Sequence, residues 1–491
     1  MNGLIHLSGR LILQRKVCLT SIGSADVCWK GATKLKRKVD LTQGNILKGF
    51  FLFAFPLFLG SLFQLLYGTV DLLFVGNFLG KTDAAAVGAS SILVTCLVGL
   101  LTGISVGAGV VLAQLWGGQK LKEADICIEN TIFLGAAGGI LLTGLGLLFA
   151  EPALLFLHTP ESIMSRALLY IRIYLFSVTA MILYNMSAAL LRAMGDSKTP
   201  FLVLATGGIL NVGMDAWFIA VMKSGIAGAA TATLISQSFT AAVLLIRIFR
   251  QNHLLKKHWN ISREMIFRIL GVGVPLGIQS MILTVSNLFV QYYINGFGEN
   301  TIAAFTVYFK VENLIYLPVM AFGQAMVTFT GQNIGAGNMD RIRKGAVICN
   351  IFAIAVTMGI SAMVLCFGRQ VLQVFCGEEA VIEEGLKIIR ITFPFYFMYA
   401  ILEVTGGIIR GNKKTMQSMA IVVIDLCVVR VLLLNIFAEY FHSIQAVAVV
   451  YPVTWTLAAG SFVLYYLFQR NFADKKNISY NGLEKKYRNK I

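Results

Sequence analysis

Residues 86–115 read AVGASSILVTCLVGLLTGISVGAGVVLAQL, a run of 30 residues without a single charged side chain. An α-helix needs about 20 such residues to cross the hydrocarbon core of a bilayer. Over its 491 residues the chain is 57% apolar and 13% charged, whereas charged residues make up about 25% of a typical soluble domain. The composition therefore predicts a polytopic membrane protein and excludes soluble, secreted and nucleic-acid-binding classes.

Twelve apolar stretches are separated by short polar connections, which predicts an all-α integral membrane protein with twelve transmembrane helices. The predicted spans are 48–75, 86–115, 128–150, 167–191, 200–222, 225–247, 265–294, 302–332, 345–368, 386–410, 416–438 and 444–468. The predicted domains are a basic tail (1–45), an N-lobe (46–247), a linker (248–264), a C-lobe (265–468) and a second basic tail (469–491).

The two halves of the chain repeat the same landmarks in the same order. Pro56-Leu57 returns as Pro275-Leu276 after 219 positions, and Gln114-Leu115-Trp116-Gly117 returns as Gln332-Asn333-Ile334-Gly335 after 218. Repeats with an even number of helices share one orientation and are related by an axis along the membrane normal. We therefore predict two six-helix lobes related by pseudo-two-fold symmetry around a central cavity. Because proline interrupts helical hydrogen bonding, Pro56 and Pro275 are candidate helix hinges.

Lysine and arginine are distributed unequally between the two sides of the predicted spans. The two tails and alternate connections carry 31 of them, and the other connections carry four. Because cytoplasmic loops are enriched in these residues, both termini are predicted to be cytoplasmic. The expected location is the plasma or inner membrane, which the chain crosses many times.

The N-lobe spans contain acidic side chains, which are costly in lipid and therefore candidates for function. Asp71 lies late in the first span, and Asp215 lies deep in the fifth with Asn211 one turn earlier on the same face. No lysine or arginine lies within a turn of either aspartate, so each must hold a proton or bind a cation. An interfacial position near the outer surface also fits Asp71. The candidate site for a coupling Na⁺ or H⁺ comprises Asp71, Asn211, Asp215 and Thr233.

The C-lobe spans contain a different set of charges, which are candidates either for the cavity or for a structural ion-pair network. They are Lys310, Glu312, Glu403, Asp425 and Arg430. Lys310 and Glu312 are two positions apart and do not share a helix face, so we expect them to pair with Asp425 and Arg430. Glu403 has no evident partner and is a candidate cavity residue. The position 219 after Asp71 is Val290, so the C-lobe does not repeat the N-lobe carboxylates.

Residues 43–468 resemble the multidrug and toxic compound extrusion (MATE) family. The matching motifs are Pro56-Leu57-Phe58-Leu59-Gly60, Val70-Asp71, Val75-Gly76, Arg192-Ala193-Met194-Gly195-Asp196-Ser197-Lys198-Thr199-Pro200, Asn211-x-x-x-Asp215, Gly228-Ala229-Ala230-Thr231-Ala232-Thr233 and Gly331-Gln332-Asn333-Ile334-Gly335-Ala336-Gly337. The resemblance implies an antiporter that expels amphipathic, often cationic compounds in exchange for Na⁺ or H⁺. It also implies that Asp71, Asn211, Asp215 and Thr233 form the coupling site.

This sequence departs from the family pattern in the second lobe. Some branches of the family carry a glutamate in helix seven and an aspartate in helix ten, and Leu283 and Tyr399 occupy those places here. The resemblance is therefore to the branch that couples through the first lobe. A flippase for lipid-linked oligosaccharides, from the same superfamily, is the alternative function, and it would need a cationic cavity.

Other classes of function fit the sequence less well. An intramembrane prenyltransferase needs two aspartate-rich clusters, and an ATP-driven pump needs a phosphate-binding loop; neither pattern is present. A simple channel would not explain the repeat. The cysteines and histidines predict no metal site beyond a Na⁺ at the N-lobe residues. We expect a monomer without enzymatic activity or cofactor, whose partners are small organic substrates and the lipid bilayer, without ATP or nucleic acid.

Overall fold

The structure is a computed structural model, and it describes residues 39–156, 158–251, 259–441 and 443–488. Twelve helices in this part are long and apolar enough to cross a membrane. In chain order, α1 to α12 are Ile46–Phe78, Lys81–Gly117, Leu121–Phe156, Glu161–Ala193, Lys198–Val221, Gly225–Gln251, Arg263–Asn295, Glu299–Gly335, Met339–Gln373, Glu379–Gly411, Thr415–Phe441 and Ile444–Arg488. All twelve predicted spans are confirmed, and the helices extend beyond the apolar windows.

The predicted all-α fold of two six-helix lobes is confirmed. One buried apolar cluster joins residues of α1 to α6, and a second joins residues of α7 to α12. Only one face of each helix is buried in a lobe, and large apolar side chains such as Leu148, Ile209 and Leu464 remain exposed. Such a surface suits a lipid environment, where exposed apolar side chains need no protein partner.

The first helix of each lobe begins in the core of the other lobe. Phe50 and Phe53 of α1 are fully buried in a third cluster with residues of α8, α9 and α10, and Phe50 lies 5.9 Å from the Phe322 ring. In the same way, Met265 and Ile269 of α7 belong to the N-lobe cluster. The predicted hinge residues Pro56 and Pro275 lie inside these two helices, close to where each one passes between lobes. Each lobe is therefore packed partly by residues that belong to the other half of the sequence.

Glycines allow the two lobes to touch along α2 and α7. A Cβ added at Gly103 would collide with the backbone of Gly277, and one at Gly107 would collide with Gly273. Small residues at this spacing permit close helix approach in membranes. Gly103 and Gly107, which belong to the apolar run 86–115, therefore lie at a close contact between the two lobes.

The connection between the lobes is attached to the N-lobe by buried polar groups. The Glu129 carboxylate and the Asn130 amide of α3 are fully buried. Glu129 accepts a hydrogen bond from the Asn260 N–H at 2.8 Å, and Asn130 accepts one from the Ser262 N–H at 2.9 Å. The linker is also shorter than predicted, because α6 continues to Gln251. Helix α12 continues to Arg488, within the predicted tail 469–491.

The two lobes also meet at one end of the bundle, which we call the basic face. It comprises the connections 118–120, 194–197, 336–338 and 412–414, together with the segment 39–45 that precedes α1. The Val39 N–H donates to the Gly195 carbonyl at 2.9 Å, and the Asn333 amide donates to the Leu41 carbonyl at 3.1 Å. These contacts bring the segment and two of the connections to the same end of the molecule.

Candidate functional site

The N-lobe candidate site lies where α5 and α6 pack closely in antiparallel orientation. A Cβ added at Gly207 of α5 would collide with the Thr240 side chain of α6. Eleven residues further along α5, Phe218 lies against Gly228, where an added Cβ would be 3.0 Å from the Phe218 Cβ. These two contacts fix the register between the helices. The segment of α5 between them contains Asn211 and Asp215.

The register brings three of the predicted site residues to one level of the N-lobe. Thr233 of α6 lies between the two contact points, opposite the turn of α5 that joins Asn211 to Asp215. Asn211 and Asp215 are fully buried, and Thr233 is 2% exposed. The Thr233 hydroxyl donates to the Ala229 carbonyl of its own helix at 3.2 Å, which leaves its oxygen able to accept or coordinate. A carboxylate, an amide and a hydroxyl are thus buried at the same level of the N-lobe.

The side-chain amide of Asn211 has no hydrogen-bond partner in the part of the chain that the structure describes. Neither its Oδ1 nor its Nδ2 has a partner among the described residues, although both atoms are buried. Buried amides are nearly always hydrogen-bonded, because an unsatisfied one loses its hydration without compensation. An orphaned buried amide beside a carboxylate is the arrangement expected of a site that takes up an ion or a proton.

The helix changes its geometry immediately after Asp215. Residues Ala216–Val221 form a π-helix. The π-helix is rare and is frequently found at functional sites, because its extra residue per turn alters the direction of the neighbouring side chains. The corresponding helix of the C-lobe, α11, also contains a π-helix, at Val423–Val428, with Asp425 inside it. Both lobes therefore place a buried carboxylate at a distortion of their fifth helix.

Helix α1 runs beside α5 at this level. A Cβ added at Gly60 or Gly208 would stand 4.0 Å from Leu204 and 3.8 Å from Tyr67, respectively. Position 71 follows Tyr67 by one helical turn, in the direction of Asn211. The side chain of Asp71 lies outside the described residues, so its part in the site remains a prediction.

The C-lobe contains a cavity of about 410 Å³ with an aromatic wall. The rings of Tyr316 and Tyr399 are stacked at 5.8 Å, and Trp455 lies 5.6 Å from Tyr399. Leu283 and Tyr399, at the positions where family relatives carry acidic residues, both line this cavity. Glu312 and Glu403 line it as well, so the cavity has two carboxylates at other positions.

Glu312 is held by tyrosine hydroxyls. The Tyr396 hydroxyl donates to Glu312 Oε1, and the Tyr308 hydroxyl is 3.5 Å from the same oxygen. The two hydroxyls are 3.3 Å apart. Tyr308 and Tyr396 are fully buried, so this network fixes the carboxylate at the cavity wall. Glu312 was predicted from the sequence, whereas Tyr308 and Tyr396 were not. The spacing of Tyr308 and Glu312, one turn apart on α8, is the signal that would have found the first of them.

The expected pairing of Lys310 and Glu312 with Asp425 and Arg430 is wrong. Among the described side chains, no ion pair joins these four residues within 4.0 Å. Lys310 is exposed and lies 6.0 Å from the Phe375 ring. Arg430, 5% exposed, lies 5.0 Å from the Tyr451 ring and contacts the Thr454 hydroxyl at 3.5 Å. A ring and a hydroxyl are therefore the direct contacts of the guanidinium, while Glu312, which lines the same cavity, interacts with it electrostatically without forming an ion pair.

Glu403 has a partner on its own helix. The Arg410 guanidinium donates to Glu403 Oε2 at 2.7 Å, and both side chains are about nine-tenths buried. Arg410 lies at the end of the predicted span 386–410, and α10 continues to Gly411. Seven residues span two helical turns, so the two side chains share a face. Glu403 lines the cavity as one half of an ion pair.

The twelve helices, the two lobes and the buried polar groups inside them are typical of a polytopic membrane transporter. The MatE family model matches the chain twice, at residues 56–217 and 275–436. The matches are 219 positions apart, which confirms the internal repeat. The chain belongs to this family, as its motifs predicted.

Two proteins of similar sequence are described as multidrug resistance or export proteins, and a solved structure shares the fold. A probable multidrug resistance protein of Bacillus subtilis, YpnP, is 29% identical over 435 residues, which cover 88% of this chain and 97% of that protein. The multidrug export protein MepA of Staphylococcus aureus is 21% identical over 377 residues, covering 76% and 83%. The fold matches a solved outward-facing multidrug resistance MATE family transporter with a TM-score of 0.83 at 22% identity, covering 90% of this chain and 99% of that one.

Proposed function

We propose that the protein is a secondary active antiporter that exports amphipathic organic cations in exchange for Na⁺ or H⁺. The observation that carries this proposal is the fully buried Asn211 amide, which lacks hydrogen-bond partners among the described residues and lies one turn from Asp215. A Na⁺ coordinated by Asn211 Oδ1 would satisfy that oxygen. A protonated Asp215 that donates to it would do the same.

The N-lobe residues are proposed to take up the coupling ion. Asp215 supplies the negative charge, Asn211 and Thr233 supply neutral oxygens, and Asp71 supplies a second carboxylate from α1. Hard cations prefer oxygen ligands of this kind. Because α1 begins in the C-lobe core and packs against α5 beyond Pro56, an ion bound between α1 and α5 acts on a helix that connects the two lobes. No cofactor other than this ion is required.

The C-lobe cavity is proposed to hold the exported compound. Stacked rings offer favourable faces to an aromatic or quaternary cation, and the fixed Glu312 carboxylate offers a negative charge. Among the described residues, Arg430 is the one basic residue that lines the cavity, and its guanidinium is directed to the Tyr451 ring. The cavity volume of about 410 Å³ suits a small organic molecule.

Two observations favour this proposal over an oligosaccharide flippase. A diphosphate headgroup would need several cations in the cavity, and Arg430 is the only basic side chain that lines it in the described residues. Arg172 is 55% exposed and lies 3.5 Å from Glu151, while Lys310 lies over Phe375.

We propose that the basic face is cytoplasmic, because it collects the Lys- and Arg-rich connections. We also propose that the protein acts as a monomer in the cell membrane.

Vesicles that contain the purified protein test this proposal. Export of a fluorescent organic cation is measured under an imposed Na⁺ gradient at equal pH, and under a pH gradient without Na⁺. The wild-type protein should respond to one of these gradients, and Asp215→Asn and Asp71→Asn should respond to neither. Glu151→Gln, which neutralises an exposed N-lobe carboxylate, is the matched control and should export normally. Wild-type export by Asp215→Asn would contradict the proposal.

A further inference from the structure

Two glutamines connect the lobes at the basic face by reciprocal hydrogen bonds. Gln114 Nε2 of α2 donates to the Gly411 carbonyl of α10 at 2.9 Å. Gln332 Nε2 of α8 donates to the Ala193 carbonyl of α4 at 2.8 Å. The donors are 218 positions apart and so are the acceptors, so each bond is the pseudo-two-fold image of the other. Each lobe gives one donor and one acceptor.

Glycines beside the glutamines let the two helices approach closely enough for these bonds. A Cβ added at Gly117 would collide with the Gln332 carbonyl oxygen, and a Cβ added at Gly335 would collide with the Gln114 carbonyl oxygen. These glycines are also 218 positions apart. The close approach of α2 and α8 is therefore symmetric as well, and it requires the absence of a side chain at both positions.

The chemistry of these bonds suits a contact that opens and closes. Gln332 is 2% exposed and Gln114 is half-buried, so while the lobes are together each amide depends on the carbonyl opposite. When the lobes separate, water can take the place of both partners, so a neutral hydrogen bond contributes only modestly to the equilibrium. Buried ion pairs at the same place would resist opening more strongly. The Arg268–Glu123 pair, which joins α7 to α3 at 3.6 Å, has both side chains partly exposed, and such pairs contribute little.

We propose that Gln114 and Gln332, with the carbonyls of Gly411 and Ala193, form a two-fold latch that holds the basic face closed. The latch is released when the transporter opens toward that face. This proposal rests on alternating access in the proposed function but not on the identity of the coupling ion. It assigns a role to the Gln-x-x-Gly pattern that both halves of the chain repeat.

Distance measurements between spin labels test the latch. Labels are attached to cysteines replacing the exposed Lys122 and Lys344, one on each lobe at the basic face, in a cysteine-free background reconstituted in lipid nanodiscs. We expect Gln114→Leu and Gln332→Leu each to raise the ratio of long-distance to short-distance molecules about fivefold, the effect of one neutral hydrogen bond. Together they should raise it about 25-fold if the bonds are independent. Gln237→Leu, which changes a glutamine of α6 away from the interface, is the control and should change nothing.

Two further variants keep the test decisive if a leucine variant folds poorly. Gly117→Ala should lengthen the distance although both glutamines remain. Gln114→Glu should open the basic face reversibly as pH rises within one sample, because a protonated carboxyl donates to the Gly411 carbonyl and a carboxylate is repelled by it. The Gln114 parent is measured over the same pH range.

Unchanged distances in the double leucine variant, or in Gln114→Glu at every pH, would overturn the latch. Loss of dye export with unchanged distances would count against it too, whereas failure of the coupling-ion assignment would leave the distances as predicted.

Discussion

The two lobes share one arrangement of helices but differ in the charge they bury at corresponding positions. In the N-lobe, Asn211 and Asp215 are fully buried on α5. The residues 219 positions later are Arg430 and Leu434, which are 5% and 1% exposed on α11. Where the N-lobe buries an amide and a carboxylate, which we propose to bind the coupling ion, the C-lobe buries a guanidinium and an apolar side chain. The two halves therefore share a fold but not the polar groups inside it.

The aromatic cavity is the second difference between the lobes. Arg430 lies at its wall over Tyr451, and Glu312 is fixed beside it by Tyr308 and Tyr396. These rings and hydroxyls favour the binding of an organic molecule rather than a small ion. This difference supports our proposal that coupling belongs to the N-lobe and cargo binding to the C-lobe, and each prediction below tests one side of that division.

The largest effect is expected from Asp215→Asn. This change removes the buried charge that we assign to coupling, so gradient-driven export should fall to the level of protein-free vesicles. Binding of the dye to the C-lobe cavity should remain. Transport and equilibrium dye binding are measured on the same preparation, and parallel loss of both would argue against separate sites.

The next largest effect is expected on stability, from Glu403→Asn. This change installs the N-lobe residue, because Asn185 lies 218 positions before Glu403. It leaves the buried Arg410 guanidinium without its carboxylate, which costs roughly 3 kcal/mol. The unfolding midpoint in detergent should fall by several degrees, and adding Arg410→Gln should recover part of the loss. A midpoint equal to that of the wild type would show that the pair is not important for folding.

Glu312→Gln should weaken binding of a cationic dye about tenfold, because a charge-assisted contact contributes more than a neutral one. Binding of an uncharged dye of the same shape should change little. Tyr399→Phe, which keeps the ring of the aromatic wall, serves as the control and should bind both dyes nearly normally. Equal losses for the charged and uncharged dyes would point to a structural role for Glu312.

The smallest effect concerns corresponding positions of the α4–α5 and α10–α11 connections. Gly195 has φ +88° and Lys413, 218 positions later, has φ +60°. Because a left-handed conformation costs a non-glycine residue about 1 kcal/mol, Lys413→Gly should stabilise the protein by about that amount. Gly195→Ala should destabilise it, since an added Cβ would collide with the Val39 carbonyl. Thermal unfolding of both variants checks the contrast.

The pH dependence of this effect follows from the surroundings of Lys413. Burial, and next to it the positive charge of Arg268, lower the pKa of Lys413 to about 8. In the unfolded chain this pKa is about 10.4, so Lys413 destabilises the folded state below pH 8 and this penalty disappears as pH rises toward 10. The advantage of Lys413→Gly should therefore be larger at pH 7 than at pH 10. An advantage that grows with pH would contradict this explanation.

The helices, the repeat and the N-lobe polar residues could be predicted because each leaves a local signal. A long apolar run predicts a span, and a carboxylate inside one such as Asp215 stands out. The exchange of α1 and α7 between the lobes leaves no such signal, since Phe50 and Met265 are apolar residues like their neighbours. The Glu403–Arg410 pair was missed although both residues lie inside the predicted span 386–410, and their seven-residue spacing on one helix is the signal that would have found it. The aromatic wall was missed because tyrosines distributed over α8, α10 and α12 meet only in the folded lobe.

The division of labour between the lobes is tested most directly by measuring dye affinity as the coupling ion is titrated. Binding of ion and dye must influence each other equally if both act on one conformational equilibrium. The account predicts that the wild-type affinity for the dye falls as Na⁺ or H⁺ rises. Asp215→Asn should bind the dye with an affinity that does not change over the titration, and Glu312→Gln should bind weakly at every concentration while retaining the dependence on the ion. An Asp215→Asn protein whose dye affinity still follows the ion as in the wild type would contradict the account.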